Sequence, residues 1–146
     1  MKESWRSLIA LTAACTVAAT IFGFGSQIFS WRSVYGGLGR EELIQTTRVF
    51  VYVALGVLLA FRGGWKGVIA AIAMAIVGTS AEWVLYPFSY AWAAFDDPAG
   101  YADKFGGVRR PSYTSWGAIF DVLSVGISAA LAQGLRTMAH VDPRGL

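Results

Sequence analysis

Three ionisable residues lie inside hydrophobic segments of the sequence: Arg48, Glu82 and Asp121. Each has a basic residue near one end of its segment, and these are respectively Arg62, Lys66 and Arg136. At the rise of about 1.5 Å per residue in an α-helix, the three separations are about 21, 24 and 22 Å. The three charges are therefore predicted at nearly one depth. A lone charge in hydrocarbon is costly, so we expect them to face each other or a water-filled cavity.

The chemistry predicted for this group is binding of a proton, another small cation or a small polar solute. Arg48 and Glu82 are the expected pair, because the short connection between their segments makes those segments neighbours. Asp121 would leave one negative charge in excess if all three groups ionised. Two carboxylates sharing one arginine in a low-dielectric site do not both ionise easily, so one is a candidate for proton uptake.

Two other interpretations of the same residues stay open at this point. A buried ion pair can fix helix register without serving transport. Arg48 precedes a short apolar run, so its side chain could instead extend to the nearby headgroups. Hydroxyl-bearing residues on the four segments are predicted to support the group if it binds a ligand, namely Thr20, Tyr52, Tyr86 and Ser124.

Composition predicts an integral membrane protein. Of the 146 residues, 55% are hydrophobic and 14% are charged, and the mean hydropathy is +0.52. These values favour a polytopic membrane chain over a soluble domain. The net charge of +3 comes from basic residues scattered at segment ends, so we expect no nucleic-acid partner. The bilayer itself is the expected partner.

The predicted fold is all-α, a bundle of four transmembrane helices forming one domain over residues 1–146. The helices are predicted at about 8–29, 43–61, 67–86 and 115–135, each near the length of about 20 residues needed to cross. A short turn containing Arg62 and Lys66 joins the second and third helices, and a longer outer loop joins the third and fourth. The lone Cys15 excludes an intramolecular disulfide.

The basic residues also predict an orientation in the cell membrane. Arg62 and Lys66 place the short turn in the cytoplasm, which puts both termini there as well. The raw tally is a tie, since six basic residues would lie inside and six outside. The inner ones closely flank segment ends, and this favours the proposed orientation. An alternative for the first segment is a cleaved secretory signal, although its apolar run is longer than the usual core of such signals.

Two helices carry small or hydroxylated residues at steps of three or four, which place them on one face. The first has Thr12, Thr16 and Thr20, continuing to Gly23 and Gln27. The third has Gly67, Ala71, Ala75 and Gly78, leading to Glu82. Small residues let membrane helices approach closely, so Thr12, Thr16 and the third-helix set are predicted to pack against neighbours. The alternative is that they line a polar pathway.

Aromatic residues and prolines mark the predicted boundaries. Trp5 and Trp65 would lie at the inner interface, with Trp31, Trp92 and Trp116 at the outer one, as in an aromatic belt. Trp83 is deeper and is expected to point to lipid or a neighbouring subunit. Pro87 is expected to kink or end the third helix. Residues 88–95 would then form a short helix along the membrane surface.

The sequence offers little support for catalysis, and the alternative that it leaves open is that Glu82 and Asp121 act as an acid and a base. The only histidine, His140, follows the last segment, so no catalytic triad can be built. We therefore expect no catalytic residues and no cofactor. We also expect no metal, because Asp96, Asp97 and Asp103 lack the spacing of a calcium-binding loop. Two hypotheses remain: a small transporter or conducting subunit, and a non-catalytic accessory subunit of a larger membrane complex. The first favours a homo-oligomer, the second a heteromeric partner.

Overall fold

The structure, a computed structural model, describes residues 5–35, 40–93 and 115–139. It contains four helices: α1 (Trp5–Tyr35), α2 (Glu41–Gly63), α3 (Trp65–Ala93) and α4 (Ser115–Ala139). All four are long and apolar enough to cross a membrane. The predicted all-α bundle of four transmembrane helices is therefore confirmed. Each observed helix contains the predicted range and extends past it at one or both ends.

The largest difference from prediction is at the end of α3. This helix continues through Pro87 to Ala93, so an end at Pro87 is wrong. Residues 88–93 consequently belong to α3 and not to a separate helix on the membrane surface. Proline removes one backbone donor and crowds one carbonyl, but a membrane helix accommodates this because nearby groups satisfy the freed backbone.

Gly64 alone connects α2 to α3. Its φ of 61° lies in the left-handed region, which glycine adopts without a steric penalty. A Cβ atom added at Gly67 would overlap the backbone carbonyl of Leu59. The two helices thus touch backbone to backbone directly beside the turn, and they form a tight antiparallel hairpin.

This hairpin is the centre of the bundle. α2 and α3 contact each other and both remaining helices, whereas α1 and α4 barely touch within the described residues. The core between α2, α3 and α4 is apolar and closely packed. Its fully buried members include Leu59, Met74, Ala75, Val125 and Ala129. A Cβ atom added at Gly56 would lie 2.6 Å from Cγ1 of Val125, so glycine is needed where α4 crosses α2.

The outward faces of the helices are apolar, as expected for surfaces that meet lipid. Phe50, Ile69 and Leu131 are each more than half exposed. Trp83 is 63% exposed although its neighbour Glu82 is 0% exposed. The predicted outward direction of Trp83 is therefore confirmed.

One end of each of the four helices lies at the same end of the bundle. The Lys66 ammonium lies 4.6 Å from the centre of the Trp5 ring, a distance typical of a cation–π contact. Arg136 of α4 donates a hydrogen bond to the carbonyl of Phe61 in α2. We call this the basic end, and its cationic residues are Arg6, Arg62, Lys66 and Arg136. Arg62, Lys66 and Arg136, from which the depths of the three buried charges were estimated, thus lie at the same end of the bundle.

The small-residue face of α3 is buried, whereas Thr12 and Thr16 of α1 are half-buried. Gly67, Ala71, Ala75 and Gly78 are all buried. On α1, the hydroxyl of Thr12 donates to the carbonyl of Leu8 at 2.7 Å, and that of Thr16 donates to the carbonyl of Thr12 at 2.8 Å. Because these hydroxyls bond to their own helix, the packing interpretation is favoured over a polar pathway along α1.

Several sequence-based expectations fall outside the described residues. These are the N-terminal residues 1–4, the glycine-rich residues 36–39, the long loop with Asp96, Asp97 and Asp103, and the tail with His140. The side chains of Trp31, Trp92 and Trp116 also lie outside the described set.

Candidate functional site

Arg48, Glu82 and Asp121 come together inside the bundle, and we call them the charge cluster. One guanidinium nitrogen of Arg48 lies 2.7 Å from Oε2 of Glu82. The other terminal nitrogen pairs with Oδ2 of Asp121. The three residues are 4%, 0% and 2% exposed respectively. Arg48 therefore bridges two carboxyl groups from different helices, and the alternative in which it reaches toward headgroups is wrong.

Helix geometry explains why the cluster forms. Arg48 and Tyr52 are four residues apart on α2, so they share a face, and that face is turned toward α3 and α4. The hairpin sets α2 beside α3, so residues equally far from Gly64 lie at similar depths. Asp121 reaches the same depth because α4 is anchored at the basic end by Arg136. The α2–α3 hairpin and the contact of α4 with α2 therefore bring the three charged groups to the same depth.

Glu82 is the most enclosed member of the cluster. Its Oε2 accepts from Arg48 and, at 3.3 Å, from the side-chain amide of Gln27. Its Oε1 accepts a hydrogen bond from the hydroxyl of Tyr52. A Cβ atom added at Gly23 would overlap its carboxylate. Side chains of α1 and α2 therefore bind the carboxylate of an α3 residue, and α4 joins through Arg48.

Tyr52, one of the predicted supporting residues, lies directly on the cluster. It is 1% exposed, and its ring centre lies 5.9 Å from the guanidinium carbon of Arg48. A Cβ atom added at Gly78 would lie 2.7 Å from the Tyr52 hydroxyl. Gly78 thus makes room for the tyrosine as well as packing α3 against α2.

The other predicted supporting residues, Thr20, Tyr86 and Ser124, are half-buried. Their support of the cluster stays a prediction.

Two residues of α1 complete the site, and sequence reasoning did not assign them to it. Gly23 and Gln27 are both buried, and both contact the Glu82 carboxylate. They continue the spacing of the threonines on the same helix, and glutamine is a strongly polar residue within an apolar run. The spacing of these two residues and the polarity of Gln27 were the sequence features that pointed to a site. They do not show which helix α1 packs against.

An apolar layer separates the charge cluster from the basic end. Leu59 and Met74 are fully buried between them, together with Val125 and Ala129 of α4. A second buried amide, Gln133, lies beyond this layer, close to Gly64. The polar residues of the described core therefore form two separate groups rather than one continuous path.

The charged groups of the cluster do not balance when all of them are ionised. Among the described residues, no three His, Cys, Asp or Glu side chains come together as metal ligands. One guanidinium and two carboxyl groups give a net charge of −1 when all are ionised, and one additional proton or monovalent cation makes the cluster neutral.

Comparison with protein-family models, curated proteins and solved structures finds no match. The fold and the site define the class: a multi-pass membrane protein with four spanning helices and a buried arginine–glutamate–aspartate cluster.

Proposed function

We propose that the protein is a small transporter or a conducting subunit whose charge cluster binds a proton or another small cation. The observation that carries the proposal is that Arg48 binds both Glu82 and Asp121 out of contact with solvent. Ionisable groups inside membrane segments are costly and commonly mark proton or ion pathways. Uptake of one positive charge removes the excess negative charge of the site.

The proposal includes an assembly state. Four helices packed around a closed apolar core enclose little volume, so a transport route requires further surface. A homo-oligomer supplies it through the outward faces of the helices.

The proposal also includes an orientation in the cell membrane. The basic end has four cationic residues, whereas the sequence near the other ends of α1 and α2 contains Arg32, Arg40, Glu41 and Glu42. Basic residues next to segment ends are retained in the cytoplasm, although acidic residues count little in this rule. We therefore place the basic end and both termini in the cytoplasm.

Flux measurements in liposomes test the proposal. Purified protein is reconstituted, and proton and monovalent-cation flux are measured over a series of pH values. Glu82→Gln is expected to abolish the flux or change its pH dependence while the protein remains folded. Ser80→Ala is the matched control, because Ser80 is on the same helix but exposed. Flux that is identical in wild type and Glu82→Gln would contradict the proposal.

A second function is supported by the tightness of the same site. Arg48 is bonded on both sides, and Glu82 is in contact with residues from α1 and α2. Such a network can lock helix register in a non-catalytic accessory subunit of a larger membrane complex. Intact-mass measurement after purification from the native source in mild detergent separates the two functions. Copies of this chain alone support the transporter, and a stoichiometric foreign subunit supports the accessory role.

A further inference from the structure

The Gln27 side chain has hydrogen-bonding capacity that the described protein does not use. Gln27 is 2% exposed. Its Nε2 donates to Oε2 of Glu82, but its Oε1 has no hydrogen-bond partner among the described residues. A buried acceptor without a donor is unfavourable, and such groups are commonly satisfied by an ordered water molecule. The orphan acceptor belongs to an amide that already touches the most enclosed carboxylate of the cluster.

The other residues around Glu82 donate hydrogen bonds to its carboxylate or pack directly against it. From α2, Arg48 and Tyr52 occupy one oxygen each. From α1, Gly23 lies against the carboxylate, and any side chain there would overlap it. From α4, Asp121 faces the site through Arg48. A proton reaching Glu82 must pass one of these neighbours, and Gln27 presents a buried acceptor that has no donor among the described residues.

We infer that Gln27 holds a water molecule through which Glu82 exchanges its proton. This inference rests on the proposed function and assigns its substrate to the proton. In the uptake step, a hydronium ion at Gln27 Oε1 transfers a proton to the Glu82 carboxylate. One O–H bond breaks, one O–H bond forms on Glu82, and neutral water remains at the amide. Release is the reverse. Arg48 stays paired with Asp121 in both states.

A proton fits this site better than a dehydrated alkali cation does. Oε2 of Glu82 already accepts two hydrogen bonds and Oε1 accepts one. A metal cation needs several oxygen ligands with available lone pairs. A proton needs one. Gln27 is a positioning residue in this scheme, because it orients the donor and does not itself bond to the transferred proton.

Infrared difference spectroscopy on the full-length protein in lipid tests the inference. The carboxyl stretching band of protonated Glu82 is assigned by its loss in Glu82→Gln. Transfer to D2O shifts this band, and the rate of the shift reports proton exchange. Gln27→Met keeps the side-chain length and removes the carbonyl oxygen and the NH2 group of the amide. This variant is expected to slow the exchange at least about tenfold. Gln27→Asn, which withdraws the amide by one methylene, is expected to slow it less and provides a second variant if Gln27→Met does not fold.

Gln133→Met is the matched control. Gln133 is also a buried glutamine whose Oε1 has no partner among the described residues, but it lies near the basic end. In the Gln133→Met variant, the Glu82 carboxyl group is expected to exchange its proton at the wild-type rate. If exchange at Glu82 is equally fast in wild type and in both Gln27 variants, the role of Gln27 is wrong while the proposed function stands. If no Glu82 carboxyl band develops at any pH at which the protein is folded, proton binding at this site is wrong.

Discussion

Gly23 of α1 lies directly against the carboxylate of Glu82 on α3, and no side chain fits between them. A glycine in the interior of a helix usually costs stability relative to alanine. Here it permits close approach of α1, so that Gln27 reaches the same carboxylate. The identity of one small residue therefore decides whether α1 takes part in the site.

The first prediction concerns this contact. Gly23→Ala forces the new methyl group into the Glu82 carboxylate, and we expect it to lower the free energy of unfolding by about 1–3 kcal/mol, the usual cost of overpacking. Gly25→Ala is the control on the same helix, since an added Cβ atom meets nothing within 4 Å there. Denaturant titration in mild detergent measures both. Equal stability of the two variants would show that α1 does not press on Glu82.

The second prediction concerns the balance of charge around Arg48. Arg48→Met leaves Glu82 and Asp121 buried without their cation, and we expect a loss of about 3–5 kcal/mol. Adding Glu82→Gln and Asp121→Asn to this variant removes both uncompensated charges and is expected to restore most of the stability. Unfolding of the single, double and triple variants under one condition measures the coupling. A single variant as stable as wild type would mean that the carboxyl groups do not depend on the arginine.

The third prediction concerns orientation. In a Cys15→Ala background, Met138→Cys introduces a thiol near the basic end, and Arg40→Cys introduces one at the opposite end. Met138 is 72% exposed, and Arg40 is also exposed. A membrane-impermeant maleimide added to intact cells is expected to label the cysteine at position 40 only. Lysed cells should label at both positions. Labelling of position 138 in intact cells would reverse the orientation.

Local sequence patterns were sufficient to predict the four helices and the Arg48–Glu82 pair. Hydropathy and segment length predicted the four helices, and the uniform helical rise predicted that Arg48, Glu82 and Asp121 lie at one depth. The short connection made α2 and α3 neighbours, so the Arg48–Glu82 pair followed. Tyr52 was predicted only as one of four hydroxyl-bearing residues that could support the group.

Other parts of the site depend on tertiary packing that no local pattern encodes. No local pattern shows on which side of the hairpin α1 packs, so the contact of Gln27 with Glu82 could not be derived from the sequence. The continuation of α3 past Pro87 also depends on surroundings that compensate the lost donor. The bonds from the Thr12 and Thr16 hydroxyls to carbonyls of their own helix were also not predicted, because a threonine in a membrane helix can bond to its own backbone or to a neighbouring helix.

The Arg48–Glu82 pair also has a consequence for biogenesis. The two residues are carried by consecutive helices joined by a single glycine, whereas Asp121 arrives on a later segment. A charged residue raises the cost of inserting an isolated helix into the bilayer by about 2.5–3.5 kcal/mol near its centre. Opposite charges on a helical hairpin offset this cost when both helices leave the translocon together. The hairpin carries Arg48 and Glu82 as an internally compensated pair of charges, and the same guanidinium also binds the acid of the last helix, Asp121.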